Sequence, residues 1–213
     1  MCPVAPTTNQ AASFAGATLD HYRHICAFFN SRDEEHRLLD PFVLDGLQRG
    51  EKISYIVDPA RRSESVRHFR KLGLDMPKLL GLGEFELRTW PETHLRGGHF
   101  NPDAMLRLSE EAMSACRSPR MRMVSDMGWA VDLHDVTDLI EYEARANALI
   151  AQHQHIVICV YDTAKFGGDV VIDVLRTHPM VLIGGVVQMN PFFVPPEQFM
   201  EELRQREQSG RDF

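Results

Sequence analysis

Residues 24–58 read HICAFFNSRDEEHRLLDPFVLDGLQRGEKISYIVD, and their pattern decides the fold. His24 to Asn30 is a short apolar and aromatic run, which predicts a strand. From Glu34 to Arg49 the apolar residues fall at 38, 39, 42, 43 and 47, the spacing of one helix face. Pro41 lies inside that pattern and predicts a kink or a helix start there. Gly50 ends the helix, and Lys52 to Asp58 (KISYIVD) reads as a second apolar strand.

The alternation continues outward from this unit. Ser63 to Leu72 is a predicted helix closed by Gly73, and Phe85 to Trp90 a third strand. Pro91 to Pro102 reads as a loop that turns at Gly97-Gly98. Pro102 to Cys116 follows as a helix with Asn101 as its cap, then a strand from Arg120 to Met127. A helix over Val136 to Ala151 leads to the strand His155 to Asp162 (HIVICVYD) and a short helix from Asp169 to Arg176. Met180 to Met189 is read as one strand, with Gly184-Gly185 inside it marking a close backbone approach. Pro196 to Arg204 is the last helix. Strict alternation with near-continuous apolar strands predicts an α/β fold: three layers, a mostly parallel sheet with helices on both faces. Residues 1–20, rich in Ala, Thr, Pro and Ser with almost no charge, read as a flexible tail, residues 21–204 as the domain, and the polar residues 205–213 as a frayed end.

Composition sets the class. The chain has 213 residues, 44% hydrophobic and 25% charged, enough to bury a core without disulfides or a metal. A formal net charge of −7 argues against a broad electrostatic grip on nucleic acid. Cys2, Cys26, Cys116 and Cys159 form no CxxC pair, so neither a disulfide framework nor a structural zinc site is expected. The first residues lack the basic and apolar regions of a secretory signal. The longest apolar run, Met180 to Val187, is too short to cross a bilayer. The reading is a reduced, cytoplasmic protein with no membrane and no direct nucleic-acid partner.

In a parallel sheet the ligand crevice lies at the carboxyl ends of the strands. That rule selects Asn30 and Ser31, Asp58, Trp90, Asp126 to Trp129, Tyr161 and Asp162, and Asn190. The acids Asp58, Asp126 and Asp162 end three strands, where they either hold a cation or polarise a ligand, or cap the following helices. The nearby aromatics Phe28, Phe29, Trp90, Trp129 and Tyr161 would give the pocket an apolar body. The first strand-to-helix turn, FFNSRDEEHR, has no glycine and no lysine, and Asp33 and Glu34 would repel a triphosphate. A working phosphate loop is therefore absent, as are a GxGxxG fingerprint and a GxSxG elbow. Cys26 and Cys159 sit mid-strand and read as inert buried hydrophobes. His153-x-His155, His94 with His99, and Asp132-x-His134-Asp135 match no metal motif, so no metal ligands and no cofactor are assigned. Pro179 forces His178 to be extended, which reads as a turn that aims the last strand.

The order of motifs resembles the MEDS domain, the methanogen/methylotroph DcmR-type sensory domain. The carrying residues are the 24–58 stretch, GGHFNPDAM (97–105), RMRMVSDMGWA (120–130), EYE (141–143), CVYDTAKF (159–166) and RTHPMVLIGGVVQMNPFFVPPEQF (176–199). The resemblance runs from about His24 to Phe199. It implies a degenerate relative of the RecA-like, KaiC-group ATPases. The segment Gly46 to Glu51 looks like the corresponding turn in those enzymes. Asp58 then falls where the relatives carry a catalytic acid and Asp126 near their metal-binding acid. The family is regarded as sensory and is proposed to take small molecules such as hydrocarbon derivatives. Its members usually sit beside a histidine kinase, a DNA-binding module or an anti-sigma module, none of which is visible in this sequence.

Three functions follow as expectations. The leading one is a non-enzymatic sensor that holds a small effector in the old nucleotide cleft and signals in trans to a regulatory protein such as a histidine kinase, a transcription regulator or an anti-sigma module. Asn30, Ser31, Glu35, Asp58, Asp126, Trp129, Tyr161 and Asp162 are its expected cleft residues, with no catalytic residue among them. The second is a nucleotide-binding regulator or weak ATPase. The third is a ligand-free interaction module. RecA-like folds often form homo-oligomers, so self-association belongs with the expected partners.

Overall fold

A computed structural model describes residues 12–133 and 135–209 of the chain. Its first element is an antiparallel hairpin, β1 (Ala12–Phe14) and β2 (Ala17–Leu19). There follow β3 (His24–Phe29), α1 (Arg32–Gln48), β4 (Lys52–Val57), α2 (Arg62–Lys71), α3 (Met76–Leu82) and β5 (Phe85–Thr89). Next come α4 (Pro102–Ser114), β6 (Met121–Asp126), α5 (Thr137–Ala151), β7 (Ile156–Asp162) and α6 (Gly168–Thr177). The chain then forms β8 (Met180–Ile183), β9 (Val186–Met189) and α7 (Pro196–Ser209). A seven-stranded sheet has the order β5-β4-β6-β7-β3-β8-β9. All its neighbours are parallel except β8 and β9. The expected three-layer α/β architecture is the one observed.

Period-two alternation divides the strands between two cores. Ile25, Ala27 and Phe29 of β3 pack with Leu39, Phe42 and Val43 of α1 and Phe69 of α2 on one face. Cys26 and Phe28 face the opposite way, with Met105 and Met113 of α4, Leu139 and Ile140 of α5, Val174 of α6 and Phe199 of α7. The strands β3, β6, β7 and β8 carry apolar side chains to both layers, whereas the edge strand β5 alternates Phe85 and Leu87 with Glu86 and Arg88. Burial on both faces explains why the sequences of those four read as near-continuous apolar runs.

Four sequence expectations are corrected. Residues 12–20 are not a loose tail: Ala12, Phe14 and Leu19 are buried, and the Phe14 ring lies 4.8 Å from that of Phe42. Three buried apolar residues outweigh the low charge that suggested mobility. At the other end, α7 extends to Ser209, because Arg206 pairs with Asp173 at 2.9 Å beyond the apolar stripe. Residues 1–11 and 210–213, also assigned to tails, lie outside the described residues. Met180 to Met189 is two strands, not one. Gly184 and Gly185 have φ of +59° and +83° and make the tight turn between them. Finally, α1 does not start at Pro41 but runs through it from Arg32. Its start is set by Ser31, whose side chain accepts from the Glu34 N–H, with Asp33, Glu34 and Glu35 in the first turn.

Candidate functional site

At the carboxyl ends of β3, β6 and β7 a small cleft of about 40 Å³ is lined by Phe29, Ser31, Arg32, Glu35, Arg61, Asp126, Val160, Asp162 and Lys165. The first turn of α1 supplies its floor. Arg32 Nη1 donates to Glu35 Oε2 at 2.8 Å, and Tyr55 Oη, from β4, donates to Glu35 Oε1 at 3.3 Å. Glu35 is 7% exposed. Burial pushes its carboxyl above the ordinary range against the pull of Arg32, and Asp126 adds to the rise. Asp126 is likewise raised by burial, opposed by the Gly128 N–H and the cations Arg32, Arg61 and Lys165. The cleft thus sets three cations around Glu35 and Asp126, two acids that are costly to ionise.

The end-of-strand acids make the same local turn. Asp58 accepts from the Ala60 N–H at 2.8 Å, Asp126 from Gly128 at 2.8 Å and Asp162 from Ala164 at 3.0 Å. The helix-capping alternative holds for Asp58, which caps the 3-10 turn Pro59–Arg61, whereas Asp126 and Asp162 close local turns and the helical segments after them start at Met127 and Gly167. Asp126 and Asp162 also face the cleft, whereas Asp58 does not line it.

Of the residues expected at the site, Ser31, Glu35, Asp126 and Asp162 come together. Asn30 is exposed beside Ser31, and its Oδ1 accepts from Thr163 Oγ1 at 2.6 Å. Trp129 and Tyr161 do not join them. Trp129 is buried in the second core, 4.4 Å from the Phe100 ring and 5.1 Å from His94. Tyr161 is fully buried and donates its hydroxyl to Glu143 Oε1 at 2.7 Å. Strand parity removes Tyr161, which points to the α5 side of β7 while Val160 points to the cleft side, and the 3-10 turn after β6 carries Trp129 into the same core. Arg32, Arg61 and Lys165, three or four residues past the ends of β3, β4 and β7, line the cleft without being among the expected residues, because the strand-end rule picks out the acids and aromatics and not the cations that the following turns fold back over them.

A second polar cluster lies inside the α5 core. His24, Glu143, Cys159 and His178 direct one donor atom each to a common point, all within 4.8 Å of one another, and all four residues are buried. Glu143 is 0% exposed. Burial would raise its carboxyl, but His178 and His24 beside it hold it well below the usual carboxylate range. Burial and the neighbouring His178 push the His24 imidazole down. Around them Asn147 gives its amide N–H groups to the carbonyls of Thr177, Glu143 and Ala144, which turns its Oδ1 toward His24 Nδ1 at 3.1 Å. His178 is extended, as Pro179 requires, with φ of −112° and ψ of 125°. Its Nδ1 donates to Val174 O at 2.8 Å, and its Nε2 is buried without a hydrogen bond. One sequence signal for this cluster existed. Glu143 stands three and four residues after Ile140 and Leu139, on the apolar face of α5. Of the histidine groupings weighed in the sequence, Asp132-x-His134-Asp135 includes a position outside the described residues.

A larger groove of about 710 Å³ runs between α4, α5 and α7, past Leu106, Leu149 and Met200. It is open, lies away from the strand ends and is crossed by the Arg145–Asp103 ion pair, so the strand-end cleft remains the candidate site. No described helix is long and apolar enough to cross a membrane.

Comparison with known proteins agrees with this architecture. A KaiC-like protein of Pyrococcus horikoshii superposes with a TM-score of 0.55 at 15% identity, over 78% of this chain and 71% of that one. The transcriptional repressor DcmR of Methylorubrum extorquens is 24% identical over 169 residues, 77% of this chain. The chain matches 61% of the length of that repressor. The family model of the methanogen/methylotroph DcmR sensory domain matches residues 23–179, well over half of the chain. With the phosphate loop missing and the KaiC-like sheet in place, the chain belongs to the MEDS family of sensory domains.

Proposed function

We propose that this domain is a non-enzymatic sensor that binds a small effector in the strand-end cleft and signals to a regulatory partner in trans. One observation carries the reading: the cleft holds Arg32, Glu35 and Asp126 in a packed ring with room for only a few heavy atoms. A nucleotide would need that ring dismantled and has no glycine loop to receive its phosphates. An effector of one or a few carbons bearing a polar group fits both the volume and the charged lining. The DcmR relative is named a transcriptional repressor, which supports a transcription regulator as the partner class. Homo-oligomerisation would bring two clefts into one assembly. Effector binding shifts the domain between states only through different affinities for each, and the Arg32–Glu35–Tyr55 link is the contact that an effector would exchange.

The test is thermal-shift titration with short polar one-carbon and halogenated compounds, with magnesium-ATP in parallel. Ligand at ~100 times its dissociation constant adds about 2.7 kcal/mol. That is a rise of several degrees for a chain of this size. Saturable shifts with a small effector, weakened at least tenfold by Glu35→Gln or Asp126→Asn, are expected. A saturable shift with magnesium-ATP that Asp126→Ala abolishes would replace this reading with a nucleotide regulator.

A further inference from the structure

We propose that His24 Nε2, Glu143 Oε2, Cys159 Sγ and His178 Nε2 form a closed tetrahedral site for a borderline-soft divalent metal of the zinc class. This goes beyond the effector reading and does not rest on it. Zinc bond lengths and a tetrahedral angle require edges of about 3.3 Å between nitrogen and oxygen and about 3.5 Å from sulfur to either. The distances are 3.2 Å from His24 Nε2 to Glu143 Oε2 and 3.4 Å from His178 Nε2 to the same oxygen. Cys159 Sγ lies 3.6 Å from His24 Nε2 and 3.7 Å from Glu143 Oε2.

Val174 O can only accept, so His178 Nδ1 carries a proton. The Asn147 amide is oriented by three carbonyls, so His24 Nδ1 carries one too. Both rings, when neutral, therefore aim an Nε2 lone pair at the Glu143 carboxylate, and His178 Nε2 is buried without a hydrogen bond of good geometry. Protonating both rings instead would leave a net positive charge in a dry core. A divalent cation bound by one carboxylate, one thiolate and two neutral imidazoles leaves the site neutral. The outer groups also suit a metal site: each ring is held by a carbonyl oxygen at Nδ1, and Tyr161 holds Glu143 Oε1. Thiolate and imidazole donors select zinc or its neighbours over magnesium or calcium. Four protein ligands leave no open position, so the metal ties β3, α5, β7 and the α6–β8 turn together rather than activating water.

The full chain, produced in zinc-supplemented medium and exchanged into chelator-treated buffer, is assayed for metal. About one zinc per chain is expected. Refolding with cobalt(II) should give a thiolate-to-cobalt charge-transfer band. Cys159→Ser should abolish that band, whereas Cys26→Ser should keep it, because Cys26 Sγ faces Met180 O. Tyr161→Phe should weaken zinc in chelator competition by about 10–100-fold. Should Cys159→Ser not fold, a charge-transfer band in Cys26→Ser alone still supports the site. A folded wild-type chain with substoichiometric metal and no band after refolding with zinc or cobalt, or a band lost in Cys26→Ser, overturns it.

Discussion

His94 shows how a single residue acquires behaviour its neighbours in sequence do not announce. Its spacing from His99 suggests a metal pair, yet it is 3% exposed, lies against Trp129, and approaches Ser125 Oγ at 3.3 Å. Burial pushes its imidazole down to about 4. The unfolded chain keeps that proton up to about pH 6.5. Between these values the unfolded state binds more protons, so stability falls as pH falls, by up to about 3 kcal/mol across the window. Urea unfolding of wild type and His94→Gln from pH 7.5 to 4.5 measures this. The wild type should lose its advantage over the variant progressively below pH 6.5, and a constant difference would mean that His94 does not titrate there. At the same scale the strand-end acids were half legible. Their turn-capping role follows from local spacing, but only the fold shows that Asp126 and Asp162 converge while Asp58 does not.

Elements were legible where an apolar stripe was long. The helices over 102–114 and 137–151 have such stripes, and both were placed nearly to the residue. The helix Met76–Leu82 was not foreseen, because only Met76 in it is buried and its start depends on Asp75 accepting from the Lys78 N–H. The hairpin of residues 12–19 was missed for a related reason: its strands are three residues each, too short for periodicity to register. Its packing makes a prediction. Deleting residues 1–19 uncovers Phe42 and removes Phe14 and Leu19 from the core. Each buried apolar side chain contributes about 1.5–3 kcal/mol, so the truncated chain should unfold at clearly lower urea than the full chain. An unchanged midpoint would show that the hairpin is only loosely held.

Across the whole molecule, the two helical layers are fastened to one sheet by different means. On the α1 side the fastening is ionic. Arg122, fully buried on β6, donates to Glu51 Oε2 at 2.5 Å, Asp45 Oδ2 at 2.6 Å and Phe42 O at 2.6 Å, joining α1 and the turn after it to an inner strand of the sheet. Gly46 permits this approach, since a Cβ there would stand 2.8 Å from Arg122 Cδ. Removing one partner of a buried pair costs about 3–5 kcal/mol. Arg122→Ala should therefore destabilise the chain by that order in denaturant unfolding, and Glu51→Gln with Arg122→Met should recover part of it. A loss below 1 kcal/mol for Arg122→Ala would mean that the network is incidental. On the α5 side the fastening is the His24, Glu143, Cys159 and His178 cluster.

The sequence by itself determined the alternation of strands and helices, the loss of the phosphate loop, the family and the strand ends at which a cleft would open. These are local or order-dependent properties, written in periodicity, in turn residues and in the succession of motifs. Tertiary structure alone decided which side chains meet. His24, Glu143, Cys159 and His178 are separated by up to 154 positions and converge because two strands are neighbours and share parity, while a helix and a turn cover that face. The same parity sent Tyr161 into the core and left Asp126 at the cleft, while the first turn of α1 brought Glu35 there and the turn after β6 buried Trp129. Residue type and spacing carry no information about strand order, and strand order is what places distant donors within bonding distance.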